Sequence, residues 1–547
     1  MKKWMIRALS ALLIVAFLPT TVLAAEWNLD NGSIEITAAA NADGGTTQTV
    51  SQGGGSGVED SNPIITSNSN QTNNTITINA GDGTTANVTI KDTNIDTSGT
   101  DKAAIKTEGE GNVNLNVEGT NTVTSSKEHA GVEKTNDGNL TIGSESGNGK
   151  LTANGGDWGA GIGGGAHGDG SHITITGGEI TANGGSSNYG YGGAGIGGGG
   201  GVGFGGNGSD ITITGGKVTA NGGAYSAGIG GGGNRSGSHI TITSGEVTAN
   251  GGIGGGAGIG GGDGGDGSHI TITDGKVTAN GGAFGAGIGG GSDHGDGSDI
   301  TISGGEVTAN GGGYAAGIGG GWYGNGREIT ISGGEVTANG GSRAAGIGGG
   351  WYGNGSDITI SGDSKVKATG GDKLGTGAAC GAAIGNGGNG NSDGPVDGRE
   401  IVPNTTGLYT TGKVERTHGD GTVLPTIFGK VEPPKPDEPE NSASAEEEEP
   451  LYWVLHLDRS SLVHQEQKTD GVLALTAKAD GAILTGKLWG LGVLRSQGIE
   501  KITFTDGTHS AELVLADLIA KGQPGDVYVL TLGAENTLTL NGEAIDF

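Results

Sequence analysis

The most regular feature of the chain is a short alternation of apolar and hydroxyl side chains, Ile-Thr-Ile-Thr or a close variant, returning every 29 or 30 residues. It begins at Ile173, Ile211, Ile240, Ile270, Ile300, Ile329 and Ile358, with one longer step of 38 residues between the first two. Period-two alternation predicts strands with one buried face, isoleucines in and threonines out. Each copy is followed by a Val-Thr-Ala-Asn type segment, then by Ala-Gly-Ile-Gly-Gly-Gly and a polar turn. In Val218-Thr219-Ala220-Asn221 the Val and Ala are expected inside. In Ala257-Gly258-Ile259-Gly260 the Ala and Ile are expected inside, which leaves bare glycine outside. Three short strands and three corners in about 30 residues fit one coil of a parallel β-helix, which gains stability by stacking on its neighbours.

Weaker copies start at Val88, Val113 and Leu140, and a loose beginning near Ile34 reads as a cap. The long step holds an insertion from Ser186 to Tyr191 and a glycine-rich run to Gly206. The expected order is a signal peptide (1–24), an N-terminal cap with irregular first coils (25–72) and a parallel β-helix (73–400). An end cap with an acidic Pro/Glu-rich linker (401–450) and a C-terminal β-rich domain (451–547) follow. The fold class is all-β. In the last domain, Trp453-Val454-Leu455, Val472 to Leu475, Ile502-Thr503-Phe504 and Val527 to Leu530 read as strands, and Ala511 to Lys521 as a short helix.

In-register stacking turns each repeated residue into a column. Asn154, Asn183, Asn221, Asn250, Asn280, Asn310 and Asn339 predict an internal asparagine ladder that satisfies backbone groups at a corner. Glu179, Lys217, Glu246, Lys276, Glu306, Glu335 and Lys365 predict a solvated ladder of mostly alternating charge. Asp169, Asn207, Asp266, Asp296, Asn325 and Asn354 predict Asx-type turns. The outward threonines, such as Thr241 and Thr271, form a regular face. Serines at 303, 332 and 361 interrupt its second column, so no ice binding is expected.

Composition narrows the functional classes. Glycine supplies 126 of 547 residues without a three-residue period, which excludes collagen, and aromatics are only 4%. The net charge of −30 disfavours direct binding to nucleic acid or an anionic membrane. A lone Cys380 excludes an internal disulfide. Lys2, Lys3 and Arg7, the apolar run Ala8 to Leu18 and the ending Val22-Leu23-Ala24 have the layout of a secretory signal cleaved near residue 24. The expected location is therefore secreted or cell-surface, without membrane insertion.

Candidate chemistry is sparse. Gly195 to Gly200 fits a dinucleotide-binding pattern by glycine content alone and lacks a βαβ context. Asp263, Asp266, Asp293 and Asp296 on turns are the residues that suit calcium; no cofactor is required. His172, Asp210, His239, His269, Asp299, Glu328 and Asp357 precede the first strands and stack into a column open to acid–base or metal chemistry, or to none. Arg327 and Glu328 are the most distinctive local pair. The scarce aromatics gather in loops: Trp158, Tyr191, Tyr225, Phe284 and Tyr314 before the third strand, with Arg343 in a later coil, and Trp322, Tyr323, Trp351 and Tyr352 after it. Beside the expected glycine strip they would edge a groove suited to sugar rings.

Leu140-Thr141-Ile142, Gly149 to Ala153 and Ala160-Gly161-Ile162-Gly163-Gly164-Gly165 resemble strings in a group of secreted clostridial β-helix proteins. The resemblance covers roughly residues 70–390. Proteins of this group are often described as carbohydrate-binding domain-containing, and related β-helices bind polygalacturonate. The resemblance implies a polysaccharide or glycan partner and supplies no catalytic motif. The leading expectation is a carbohydrate-binding adhesion or capture protein without turnover. The alternatives are a polysaccharide lyase or glycoside hydrolase working in the same groove, and a stalk that displays the C-terminal domain. Oligomeric state is not legible.

Overall fold

The computed structural model describes residues 25–41, 45–187, 190–373, 379–391, 394–430, 451–457, 462–469, 471–479, 481–523 and 525–545. The expected signal peptide and the acidic stretch 431–450 lie outside these residues. The chain divides into two compact units, 1–436 and 437–547.

The first unit is a parallel β-solenoid of about 13 coils, with walls of 12, 14 and 13 strands. Its register is the one the repeat dictates. Ile240 pairs with Ile270 and Ile242 with Ile272 in the first wall, Val247 with Val277 and Asn250 with Asn280 in the second, and Ile259 with Ile288 in the third. Within one coil Ile270, Ile272, Val277, Ala279 and Ile288 are all fully buried. Burying each large aliphatic contributes roughly 1.5–3 kcal/mol, but only because coils on both sides cover it.

The third wall departs from the alternation expected of it. From Ile162 onward its strand is only two residues per coil, such as Ile259–Gly260. The Ala257 N–H turns back to the Gly261 carbonyl at 2.8 Å. Gly258 is buried, not outward: a Cβ there would stand 2.6 Å from the Gly287 carbonyl oxygen and 2.7 Å from the Asn280 nitrogen. Gly161, Gly195, Gly228, Gly287, Gly317 and Gly346 face the same kind of obstruction from the second wall and the following coil. The expected open strip of bare backbone is therefore a sealed backbone contact.

The asparagines form a ladder of side-chain amides. From Asn183 to Asn339, each Nδ2 donates to the Oδ1 of the preceding coil's asparagine at 2.7–2.8 Å. They are half-buried, so the ladder is closed among side chains and is not internal. In the turn column, the Asp296, Asn325 and Asn354 backbone N–H groups donate to the side-chain oxygens of Asp266, Asp296 and Asn325. The charge column gives close pairs at Lys150–Glu179 (2.6 Å) and Lys276–Glu306 (3.4 Å), both solvated and worth little.

Pairing carries the solenoid past both ends of the 73–400 span. Glu26–Asn28 already belongs to the first wall, and Ile34–Ala40 is a third-wall strand covered by an antiparallel hairpin partner, Thr46–Gln52. At the other end Lys413–Thr417 extends the second wall, and antiparallel Val423–Phe428 follows. In the early coils Val113 pairs with Ala86, and Val88 with Leu115. That offset of two residues keeps the buried face.

The second unit holds a five-stranded and a four-stranded sheet around Leu473, Leu475, Leu484, Phe504, Tyr528 and Leu530. The expected strands are present. The expected helix Ala511 to Lys521 is instead the strand Ser510–Val514 followed by the helix Leu515–Ile519, and a longer helix spans Leu488–Ser496.

Gly258→Ala should therefore destabilise the solenoid by about 2–3 kcal/mol, since the new methyl meets backbone atoms that cannot rotate away. Thr278→Ala, outward on the next coil, should cost under about 1 kcal/mol. Urea-unfolding midpoints of the two full-length variants check the contrast.

Candidate functional site

The nine loop aromatics fall into three sets. Phe284, Tyr314, Trp322, Tyr323, Trp351 and Tyr352 form one continuous stack with His294. Centroids lie 5.7 Å apart for Phe284–Tyr314, 6.1 Å for Trp322–Trp351, 5.2 Å for Tyr323–Tyr352 and 5.1 Å for His294–Tyr323. Interplanar angles of 4°, 12°, 23° and 17° make these face-to-face contacts. The cause is the coil spacing of about 4.8 Å, which sets equivalent rings within stacking distance. Tyr191 and Tyr225 form a second group, edge to face at 5.7 Å. Trp158 carries Lys127 Nζ 4.4 Å over its ring.

Within the run the rings pack on one another in offset stacks, and Phe284, Tyr314, Trp322, Tyr323 and Trp351 are half-buried. Tyr225 and Tyr352 are the most open of the set, 43% and 38% exposed. The indole N–H groups of Trp322 and Trp351 are buried without a hydrogen-bond partner, a cost the stacking offsets.

The four aspartates proposed for calcium do not converge. Asp266 accepts the Asp296 N–H, and Asp296 is bound by Arg327 at 2.5 Å. Asp293 is exposed beside His294, whereas Asp263 is partly buried and bonded to the Ser292 hydroxyl. Burial raises the Asp263 pKa, the Ser292 bond opposes that, and the Asp293 charge adds to it. Among the described residues no group of three or more His, Cys, Asp or Glu side chains is placed to hold a metal ion. Arg327, half of the most distinctive pair in the sequence, serves as the partner of Asp296.

The His/carboxylate column exists and has a backbone explanation. Ser209 pairs with Ser238 and Ile211 with Ile240, while Asp210 and His239 between them are left out of the ladder with no change of register. His172, Asp210, His239, His269, Asp299, Glu328 and Asp357 all take φ between +49° and +55°. Asp and His tolerate that left-handed conformation better than most residues. All seven are exposed; His239 and His269 stack at 4.6 Å, and His269 lies 3.3 Å from Asp299.

Cys380 is fully buried near the end of the solenoid, its Sγ 3.3 Å from His418 Nδ1. Burial first, then the neighbouring Asp397, pushes its pKa up to about 12. That keeps the thiol protonated and unreactive at ordinary pH.

A family model described as beta helix repeat matches residues 146–166, 173–200, 211–233, 240–263, 270–292, 300–322 and 329–351. These segments coincide with successive coils of the solenoid, so the chain contains β-helix repeats. Comparison with curated proteins and with solved structures found no significant match.

Cys380 should resist alkylation in the folded chain at mildly alkaline pH and react quickly once denaturant is added. Its raised folded pKa also makes stability fall as pH climbs from the ordinary thiol range towards about 12, because only the unfolded chain releases the proton there. Labelling followed by mass spectrometry, with and without urea, checks the first point.

Proposed function

We propose that this is an exported β-helix protein that binds polysaccharide or host glycan, as an adhesion or capture module without turnover. One observation carries the reading: scarce aromatic side chains are concentrated on the loops of consecutive coils, outside the aliphatic core. Phe284, Tyr314, Trp322, Tyr323, Trp351 and Tyr352 build a run that follows the coil-to-coil direction. A solenoid that repeats its surface residues suits a ligand that repeats its own units. The open surfaces of Tyr225 and Tyr352 offer apolar contact to sugar rings, and the stacked run offers a line of aromatic contacts that a chain can follow. The net charge of −30 favours neutral or basic glycans over acidic polymers.

In this reading the N-terminal signal is removed near residue 24 and the mature chain acts outside the cell. Among the described residues no helix is long and apolar enough to cross a membrane.

The full mature chain should be retained on at least one member of a panel of insoluble polysaccharides or arrayed glycans. Tyr225→Ala combined with Tyr352→Ala should weaken retention at least about tenfold, from the loss of two aromatic contacts of about 1 kcal/mol each. Absence of retention on every glycan tested overturns the proposal.

A further inference from the structure

A cleft of about 430 Å³ opens on the first wall in the early coils, and no aromatic residue lines it. Its volume is within the roughly 300–1,000 Å³ of small-ligand sites. From Thr174 onward the outward positions of this wall carry Thr or Ser. In the coils of the cleft the pattern changes. Register places Asn87, Asn114 and Thr141 in one outward column, and Thr89, Asn116 and Gly143 in the other. Asn87 and Asn114 are exposed, and Asn116 and Thr141 half-buried. Asn62 from the preceding coil and Glu145 from the turn after Gly143 complete the polar lining.

The amides of this cleft are held in place. The preceding first-wall strand pairs only Ile64 with Thr89 and Ile65 with Ile90, which leaves Asn87 without a strand partner on that side. The buried side chain of Gln48 takes the partner's place. Its Oε1 accepts the Asn87 N–H at 2.8 Å, and its Nε2 donates to the Asn87 carbonyl at 2.9 Å. Along the floor, Asn114 Nδ2 donates to Asn87 Oδ1 at 2.9 Å, and Asn116 Oδ1 accepts the Glu145 N–H at 2.9 Å. Three groups then stay open to a ligand: Asn87 Nδ2 as donor, Asn114 Oδ1 as acceptor, and the Thr141 hydroxyl as either. None of the three has a hydrogen-bond partner among the described residues.

The lining also limits the ligand. Among its described residues Glu145 is the one charged side chain, and Val88 and Leu115 belong to the buried core. An anionic ligand meets Glu145 and a net charge of −30. An apolar ligand covers amides without replacing their bonds to water. A neutral ligand rich in hydroxyls avoids both costs, because each hydroxyl donates and accepts. Resting on the glycan reading above for the class of ligand, we infer that the first-wall cleft is a second saccharide site, specific for a short run of neutral sugar units. Asn87 Nδ2 donates to ring hydroxyls, and Asn114 Oδ1 and the Thr141 hydroxyl accept from them. Such a role accounts for asparagine replacing threonine in these coils, and for the side chain of Gln48 fixing Asn87 where no strand does.

The test is calorimetric titration of the full mature chain, in EDTA, with neutral tetramers: β-1,4-linked glucose, mannose and galactose, and α-1,4-linked glucose. At least one should bind with a Kd of about 1 mM or tighter. Asn114→Ala removes the open acceptor and the bond that orients Asn87, and should weaken that binding at least about tenfold. Its urea-unfolding midpoint should change little, since the side chain is exposed, which reports an intact fold. Thr271→Ala, outward on the same wall in a later coil, should leave the affinity unchanged. The C6-oxidised form of the bound tetramer, with a carboxylate on each ring, should bind at least about tenfold more weakly. Failure of every tetramer to bind overturns the inference, as does equal binding of the oxidised form. Binding that survives Asn114→Ala and is lost when Tyr225→Ala and Tyr352→Ala are combined puts the sugar on the aromatic surface, and the cleft inference falls. If no tetramer binds while an insoluble polysaccharide is retained, the cleft falls and the glycan reading stands; if nothing is bound or retained, both fall.

Discussion

The solenoid depends on one steric constraint: the third wall approaches the second so closely that no side chain fits between them. At Gly258 the space a Cβ would need is occupied by the Gly287 carbonyl and the Asn280 nitrogen of the following coil. The same obstruction recurs at Gly161, Gly195, Gly228, Gly287, Gly317 and Gly346. Closing that gap turns the third wall into a backbone seam and limits its regular strands to two residues, as at Ile259–Gly260 and its equivalents. The core shrinks to a thin column of Ile, Val and Ala, and glycine becomes the most abundant residue of the chain. A core this thin leaves no room inside for aromatic rings.

Variation between coils then lies on the loops, where the repeat tolerates change. The Ile, Val and Ala positions are held by neighbours above and below, and the asparagine amides lock each coil to the last through hydrogen bonds of 2.7–2.8 Å. In such a one-dimensional stack a change at a wall position is felt by two interfaces, whereas a change at a loop tip is felt locally. The turn after the third strand illustrates the freedom. It carries His167 in one coil, Asn234 and Arg235 in another, and Trp-Tyr pairs in two more. Backbone hydrogen bonds hold each of these turns in place whatever side chains it bears.

The wall architecture was legible because its signal is repeated: an alternation of Ile and Thr returning at a fixed interval constrains strand, face and register together. Gly258 misled for a physical reason. Alternation assigns a face only to residues with side chains, and glycine satisfies an outward position and a crowded inward one equally well. Leu488–Ser496 was missed as a helix because Gly490 and Gly492 each disfavour one by about 1 kcal/mol, a penalty overcome by burying Leu488, Leu491 and Leu494. The aromatic loops were visible in the sequence as scarce residues in recurring places. Their stacking was not, since a repeat period fixes the spacing of coils and says nothing about ring orientation. Asp263, Asp266, Asp293 and Asp296 are close in sequence register, but the partners of three of them were not legible: Ser292 on Asp263, the Asp296 N–H on Asp266, and the Asn325 N–H and Arg327 on Asp296.

Ring orientation in turn decides what kind of recognition this surface can support. Rings packed in offset stacks at 5–6 Å fix one another's positions, so the run is a rigid surface. In the glycan reading, affinity for a long ligand would accumulate along such a run, and discrimination between sugars would come from the coils where the run changes. Loop length changes most between Ile173 and Ile211, and in the coil after Tyr225 the ring position is taken by Gly254. In that reading a repeated aromatic run for length and irregular coils for identity would divide the work of recognition, using the local freedom that the glycine seam leaves to the loops.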